Sequence, residues 1–379
     1  MLPKLGVSWR DVILASASSV SLIIVRALVL SGGAGTRLRP FSHTTPKQLV
    51  PIANEPVLFH ALRAIRALGI EKTGIIVSSP GTAIREAVGD GSLFDMEVTY
   101  LPQDEPLGLA HCVLLAREFL ADDDFLMYLG DNVFFGGIAE PFAEFQRDRP
   151  TAQLVLTKVS NPSVFGVAEI DHRGRVVGLE EKPDHPRSDL IVTGAYFFTP
   201  AIHEAVRHVQ PSWRGELEIT HALQWLLSQG HDVRSYTFCG HWRDTGTTAD
   251  LLDCNKLLLA EMTTRIGGTV DSASEITGPV IVEEGASVRR SVLRGPVMIA
   301  AGTSIEDSQV GPFTAIGKDC ALRDAIVENS ILLERACVHG VRSINGSIIG
   351  RGGQVRMSQE LPSAHRLLVG DNSVVEITV

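Results

Sequence analysis

The stretch Ser31-Gly32-Gly33-Ala34-Gly35-Thr36-Arg37 ends a short apolar run with a cluster of glycines and an arginine, and Lys47 follows ten residues after Arg37. Glycines without a Cβ let backbone N–H groups approach an anion closely, and the next turn can add further donors. An arginine can clamp oxygens bidentately while a lysine supplies a point charge. The combination points to phosphate. It is not a P-loop, because no Gly-Lys-Ser/Thr follows, and the third glycine of the dinucleotide fingerprint is missing. A glycine-rich turn by itself would equally serve as a tight connection; Arg37 and Lys47 are what shift the reading toward a phosphate ligand.

The elements around this loop say where it sits. From residue 26 to 130 strands and helices alternate. RALVLS reads as a buried strand; NEPVLFHALRAIRALG reads as a helix with Asn54 as N-cap, Leu58, Leu62, Ile65 and Leu68 on its apolar face and Gly69 as its stop. GIIVSS, EVTYLP and DFLMYLGDN read as further strands, with LGLAHCVLLAREFL as one helix between the last two. Such alternation predicts a mostly parallel sheet covered by helices, with ligands bound beyond the C-terminal strand ends. Both the glycine turn and Gly130-Asp131-Asn132 fall at such ends, which places them in one site.

Past residue 265 aliphatic residues recur every six positions: Ile276, Val282 and Val288; Ile299 and Ile305; Val310, Ile316 and Leu322; Leu332, Val338 and Ile344; Ile349 and Val355. Five such groups in register predict a parallel β-helix with three short strands per coil. The expected division is therefore an N-terminal extension at 1–25, an α/β domain at 26–262, a β-helix at 266–357 and a tail or cap at 358–379. The extension carries Lys4, Arg10 and an apolar stretch resembling a signal peptide, but Ser16, Ser18, Ser19 and Ser21 interrupt it. Val25 is expected to be the native first residue, with the preceding segment an appendage.

Composition narrows the partners. The net charge of −10 argues against a duplex nucleic-acid binder, yet a few placed cations and a metal can reverse the field locally. Five cysteines, odd in number and without a CxxC, read as free thiols in a reducing compartment. The twelve histidines show no metal-ligand spacing.

SGGAGTRLRPFSHTTPKQLVPI resembles the signature of sugar-1-phosphate nucleotidylyltransferases, specifically glucose-1-phosphate thymidylyltransferases. YLPQDEPLGLAH, YLGDN, FGVAEID, LEEKPDHPRSDLIVTGAYFF, WRGELEIT and WRDTGT extend the resemblance in order to about residue 255. The β-helix resembles that of a longer type supplying dTDP-sugars for deoxysugar and natural-product glycosylation. The resemblance implies a Rossmann-like α/β nucleotidyltransferase domain with a mixed, mostly parallel sheet, followed by a left-handed parallel β-helix. It implies attack of glucose 1-phosphate on the α-phosphorus of dTTP with release of pyrophosphate. It also implies Mg²⁺ held by Asp131 and Asp244, with Arg37, Lys47 and Lys182 as catalytic cations.

By the same resemblance, Gly32, Gly33, Gly35, Thr36, Gln103, Pro106 and Gly108 hold the nucleotide. Gln103 can donate and accept side by side, which complements the imide edge of thymine or uracil. Gly166, Glu181, Val192 and Thr193 match contacts to hexose hydroxyls, and Lys182 with Arg214 match its phosphate ligands. Leu107 replaces an Asp common in shorter members, and Phe165 replaces a frequent Tyr, so contacts at those two places differ. The expected protein is a cytoplasmic homo-oligomer with no nucleic-acid or membrane partner. Three alternatives stand beside this reading: a UTP-using uridylyltransferase, a bifunctional nucleotidylyl/acetyltransferase, and a regulatory subunit without catalysis. The last is disfavoured by the intact set of Arg37, Lys47, Asp131, Lys182 and Asp244. The second is disfavoured by the presence of only His339 within the repeat.

Overall fold

Two kinds of β-structure divide the chain. The computed structural model describes residues 25–33, 35–357, 367–368 and 371–376; the expected N-terminal appendage and most of the expected tail lie outside them. The first region is a nine-stranded mixed sheet. Val25–Ser31, Lys72–Ser78, Glu97–Gln103 and Asp124–Leu129 are mutually parallel, with Val25–Ser31 between Lys72–Ser78 and Asp124–Leu129. Leu190–Phe198 then runs antiparallel to Asp124–Leu129 and pairs antiparallel with both Ala152–Lys158 and Gly166–Ile170. Alternate residues feed two cores: Leu28 and Leu30 pack on one face, Ala27 and Val29 on the other. A strand buried on both faces must read as a continuous apolar run, which is how Ala27–Leu30 reads.

The parallel strands end where the chemistry was expected. Gly32 follows the first, Gln103 closes the Glu97–Gln103 strand, and Gly130-Asp131 follow Asp124–Leu129. The backbone N–H of Gly130 donates to the Leu30 carbonyl at 3.0 Å, tying two of these ends together.

Some local expectations are corrected. The helix after the Lys47 turn spans Val57–Ala67 with Pro56, not Asn54, at its N-cap position. Asn54 instead forms, with Ala53, the left-handed corner of a hairpin pairing Pro51–Ile52 with Glu55–Pro56. Its short polar side chain tolerates that conformation. The single helix expected from LGLAHCVLLAREFL is broken at Ala116 into Leu109–Leu115 and Arg117–Leu120.

The second region is a β-helix of three parallel sheets with six, six and five strands. Its inward positions include Val282, Val288, Leu293, Ile299, Ile305 and Val310, so each coil has two steps of six and one of five. That is why the strict period of six broke into groups and passed over Leu293 and Val327. One corner is closed by a serine ladder with a 17-residue step: the N–H groups of Ser291, Ser308 and Ala325 donate to the hydroxyls of Ser274, Ser291 and Ser308 at 3.0–3.1 Å.

The outward side of one β-helix sheet is also apolar, and the α/β domain covers it. Ile331 and Leu333 join Leu38, Val50, Ile52, Leu251 and Cys254 in a shared cluster. Asn255, wholly buried on the Thr248–Ala260 helix, accepts from the Ala53 N–H at 2.9 Å and donates to the Phe313 carbonyl at 3.0 Å. Asn54 Nδ2 donates to the Ile316 carbonyl at 2.9 Å. The β-helix thus grips the hairpin that continues the Lys47 turn.

Candidate active site

The glycine turn is shaped around its own catalytic candidates. Gly35 is left-handed (φ 62°), and a Cβ there would stand 2.9 Å from Lys47 Cβ; one on Gly33 would stand 3.2 Å from Lys47 Cε. A Cβ on Gly32 would lie 2.9 Å from Gln103 Oε1. Beyond offering backbone N–H groups, the glycines therefore make room for Lys47 to cross the loop and for Gln103 to approach it. Arg37 and Thr36 lie on the exposed side of the following short turn at Thr36–Leu38.

Asp131 and Asp244, 113 residues apart in sequence, meet through a two-stranded ribbon. Asn132–Phe134 pairs antiparallel with Trp242–Asp244, in a register that sets Asp244 opposite Asn132. Thr245 completes the joint, its N–H and its hydroxyl both donating to the Asp131 carbonyl at 3.0 and 2.8 Å. Lys47 Nζ is ion-paired with Asp131 Oδ2. Asn132 Nδ2 donates to Asp131 Oδ1 at 3.0 Å and is itself oriented by Trp242 Nε1 at 2.8 Å from its Oδ1. Gly246 keeps space beside this centre: a Cβ there would lie 2.6 Å from Asp244 Oδ1 and 2.9 Å from Arg37 Nη2.

The electrostatics of the pair are those of a cation site. Asp244 Oδ1 is buried with no hydrogen-bond partner. Burial, and then the charge of Asp131, push the Asp244 carboxyl up to about 6 against the pull of Lys47 and Arg37. An orphaned carboxylate oxygen beside a second carboxylate fits a hard divalent cation such as Mg²⁺. Among the described residues no group of three His, Cys, Asp or Glu could enclose a metal.

On the base side, Gln103 is buried at the strand end, and its Nε2 lies 3.1 Å from His111 Nδ1 and 3.3 Å from Cys112 Sγ. Gly108 has φ 101°, and a Cβ there would meet the Leu217 carbonyl at 2.5 Å. Pro106 is exposed on the same loop. That loop is clamped by Leu217, whose N–H donates to the Leu107 carbonyl at 2.7 Å and whose carbonyl accepts from the Ala110 N–H at 3.0 Å.

On the other side, Gly166, Glu181 and Val192 converge. A Cβ on Gly166 would stand 3.3 Å from Glu181 Oε2 and 3.8 Å from Val192 Cγ2. Thr220 Oγ1 donates to Glu181 Oε2 at 3.1 Å. Arg214 is held by three carboxylates, Glu216 at 2.7 Å, Glu218 at 3.2 Å and Glu181 at 3.5 Å. Burial, then the nearby Glu218, raise the Glu181 carboxyl above its ordinary range. Lys182 takes a left-handed backbone (φ 45°) and borders an open cavity of about 320 Å³ with Glu181, Trp213 and His221. Thr193 differs from its neighbours: its hydroxyl donates to the Val155 carbonyl at 2.6 Å and is buried in the sheet.

The sequence reading gave no role to Asn132, Thr245, Gly246, Glu218 and Thr220. All lie inside motifs already singled out (GDN, RDTGT and ELEIT), and attention to every polar residue of those motifs would have found them.

Comparison with known proteins adds family and relatives. Residues 26–261 match the nucleotidyl transferase family, and residues 257–346 match the GlmU-like C-terminal hexapeptide family. A glucose-1-phosphate thymidylyltransferase of Streptomyces griseus is 54% identical over 93% of this chain and 100% of its own length. The low-salt glycan biosynthesis nucleotidyltransferase Agl11 of Haloferax volcanii is 41% identical over 93% of this chain and 100% of its own. A candidate glucose-1-phosphate thymidylyltransferase of Bacillus anthracis, solved with sucrose, superposes with a TM-score of 0.58 at 32% identity, over 62% of this chain and 94% of that one.

Proposed function

We infer, because the chain belongs to the glucose-1-phosphate thymidylyltransferase family of nucleotidyl transferases, that it transfers a thymidylyl group from dTTP to glucose 1-phosphate. The products are dTDP-glucose and pyrophosphate. An oxygen of the sugar phosphate attacks the α-phosphorus, the new P–O bond forms, and the bond to the β-phosphate's bridging oxygen breaks. Both reactants are anions, so the protein's work is charge neutralisation and in-line positioning. The observation carrying this reading is the meeting of Lys47, Arg37, Asp131 and Asp244 at the C-terminal ends of parallel strands.

In this reading the glycine turn and Arg37 receive the triphosphate. Lys47, crossing the loop toward Asp131, neutralises charge that develops as pyrophosphate leaves. Lys182 and Arg214 draw in the sugar phosphate; Arg214 exchanges part of its carboxylate contacts for phosphate oxygens. Glu181 and the Gly166 cleft orient the hexose. Asp131 and Asp244 would hold Mg²⁺, which supplies charge neutralisation on the triphosphate when bound. The unpaired state of all five cysteines supports a reducing compartment such as the cytoplasm. No helix among the described residues is long and apolar enough to cross a membrane. A homo-oligomer remains our expectation for its assembly.

The test is product identity. Purified protein with Mg²⁺, glucose 1-phosphate and equal concentrations of dTTP and UTP should give mainly dTDP-glucose by mass spectrometry. Thymine and uracil differ by one methyl, worth about 1–3 kcal/mol of discrimination, so a preference of tenfold or more is the expected result. UDP-glucose in excess would move the enzyme to uridylyl transfer with the same fold and centre.

A further inference from the structure

An amide reads a pyrimidine only if its oxygen and nitrogen are held the right way round, and nothing in a glutamine's own shape decides which way that is. At Gln103 the protein decides it. The side-chain nitrogen faces the Leu109–Leu115 helix, 3.1 Å from His111 Nδ1 and 3.3 Å from Cys112 Sγ. Cys112 is a neutral thiol, pushed up to about 12 by burial, and it points its own proton toward the Gly108 carbonyl at 3.5 Å. Its sulfur is a weak acceptor, so His111 Nδ1 is the strong partner. With both amide protons turned toward the helix, Gln103 Oε1 is the atom that faces the glycine turn, 2.9 Å from where a Gly32 Cβ would stand.

We propose that His111 is a positioning residue for base selection: by accepting from Gln103 Nε2 it fixes the glutamine with its carbonyl oxygen toward the base. The neutral ring with its proton on Nε2 is the form that can accept at Nδ1. A carbonyl in that place accepts from the N3–H of a thymine or uracil. Against cytosine, whose N3 is an acceptor, it sets lone pair against lone pair. His111 therefore contributes to selecting imide pyrimidines over cytosine without touching the base. This rests on Gln103 being the base-reading residue of the function proposed above. It also refines the expected side-by-side donor and acceptor: the amide nitrogen is used inside the protein, so a donor to the base's O4 must come from another group.

The experiment compares kcat/KM for dTTP with kcat/KM for dCTP, at fixed glucose 1-phosphate and Mg²⁺, in wild type, Gln103→Ala, His111→Leu and His111→Gln. Because each variant is read as a ratio within one preparation, a reduced folded fraction cancels; His111→Ala serves if leucine prevents folding. The expected result is a dTTP/dCTP ratio at least tenfold lower in His111→Leu and restored to within about threefold in His111→Gln, whose side-chain carbonyl can accept the same proton. A collapse of the ratio in Gln103→Ala together with an unchanged ratio in His111→Leu overturns the positioning role while keeping Gln103 as reader. An unchanged ratio in Gln103→Ala overturns both.

Discussion

The active-site end of the α/β domain and the interior of the β-helix lie on either side of one apolar seam, and they treat polar groups in opposite ways. In the β-helix the buried serines at the corner each accept from the next coil and donate to a carbonyl two residues back. Around Lys47 the accounting does not close: one carboxylate oxygen of Asp244 is buried without a partner, and Asp131 stands close enough to raise its proton affinity. Regular repeats let each coil template the next, and among the described β-helix residues the one buried side-chain group without a partner is the neutral hydroxyl of Thr314 rather than a charge. A site that must neutralise an incoming triphosphate has to keep charge poised and incompletely paired, and it does so against its own stability.

Substitutions on the two sides should therefore fail differently. Lys47→Ala removes the ammonium at the reacting phosphates and should cost roughly a thousandfold or more in kcat; near-normal turnover would break the contrast. Leu322→Ala, at the centre of the β-helix core, should lose about 2–5 kcal/mol of stability, read by denaturant unfolding, with kcat of the folded enzyme unchanged. Asn255→Ala acts on the seam. It strips a partner from the Ala53 N–H and the Phe313 carbonyl, and should cost about 1–3 kcal/mol. If the β-helix braces the Lys47 hairpin, kcat should also fall severalfold at a temperature where the variant is folded; an unchanged kcat would reduce the seam to simple adhesion.

An effect of the same size as that at the seam is expected in pH dependence. The Asp244 carboxyl titrates near 6 when folded, above the ordinary aspartate value of 3.8. The folded state thus holds the proton more tightly, and stability declines as pH rises from about 4 through 6. The change is on the order of 1–3 kcal/mol. A bound divalent cation opposes it, so Mg²⁺ with dTTP should raise the melting temperature more at pH 7.5 than at pH 5. Equal shifts at the two pH values would show that the carboxylate pair is not where the cation acts.

The same contrast explains what the sequence made legible. The β-helix announced itself because each coil repeats an aliphatic residue at nearly fixed spacing; only its five-residue steps, as at Leu293, escaped a strict count of six. The strands ending at Gly32, Gln103 and Asp131 were legible from their apolar runs. Asn54 was misread because a residue that caps helices also tolerates the left-handed corner it occupies, and the hairpin there is set by packing against a segment more than 250 residues away. At the site, the cations and carboxylates stood out by type and motif. The resemblance paired Asp131 with Asp244, but the ribbon register that brings them together was not legible. Neither was the turning of Gln103 by His111, which needs the angle of a helix to a strand end.

Asp244 is a carboxylate kept for catalysis at a cost in stability, and Asp244→Asn tests that most directly. The rate of dTDP-glucose formation from dTTP, glucose 1-phosphate and Mg²⁺ should fall at least a hundredfold, while the melting temperature of the unliganded protein at pH 7.5 rises because a buried charge has been removed. Retained activity, or a lost activity accompanied by a lower melting temperature, would contradict it.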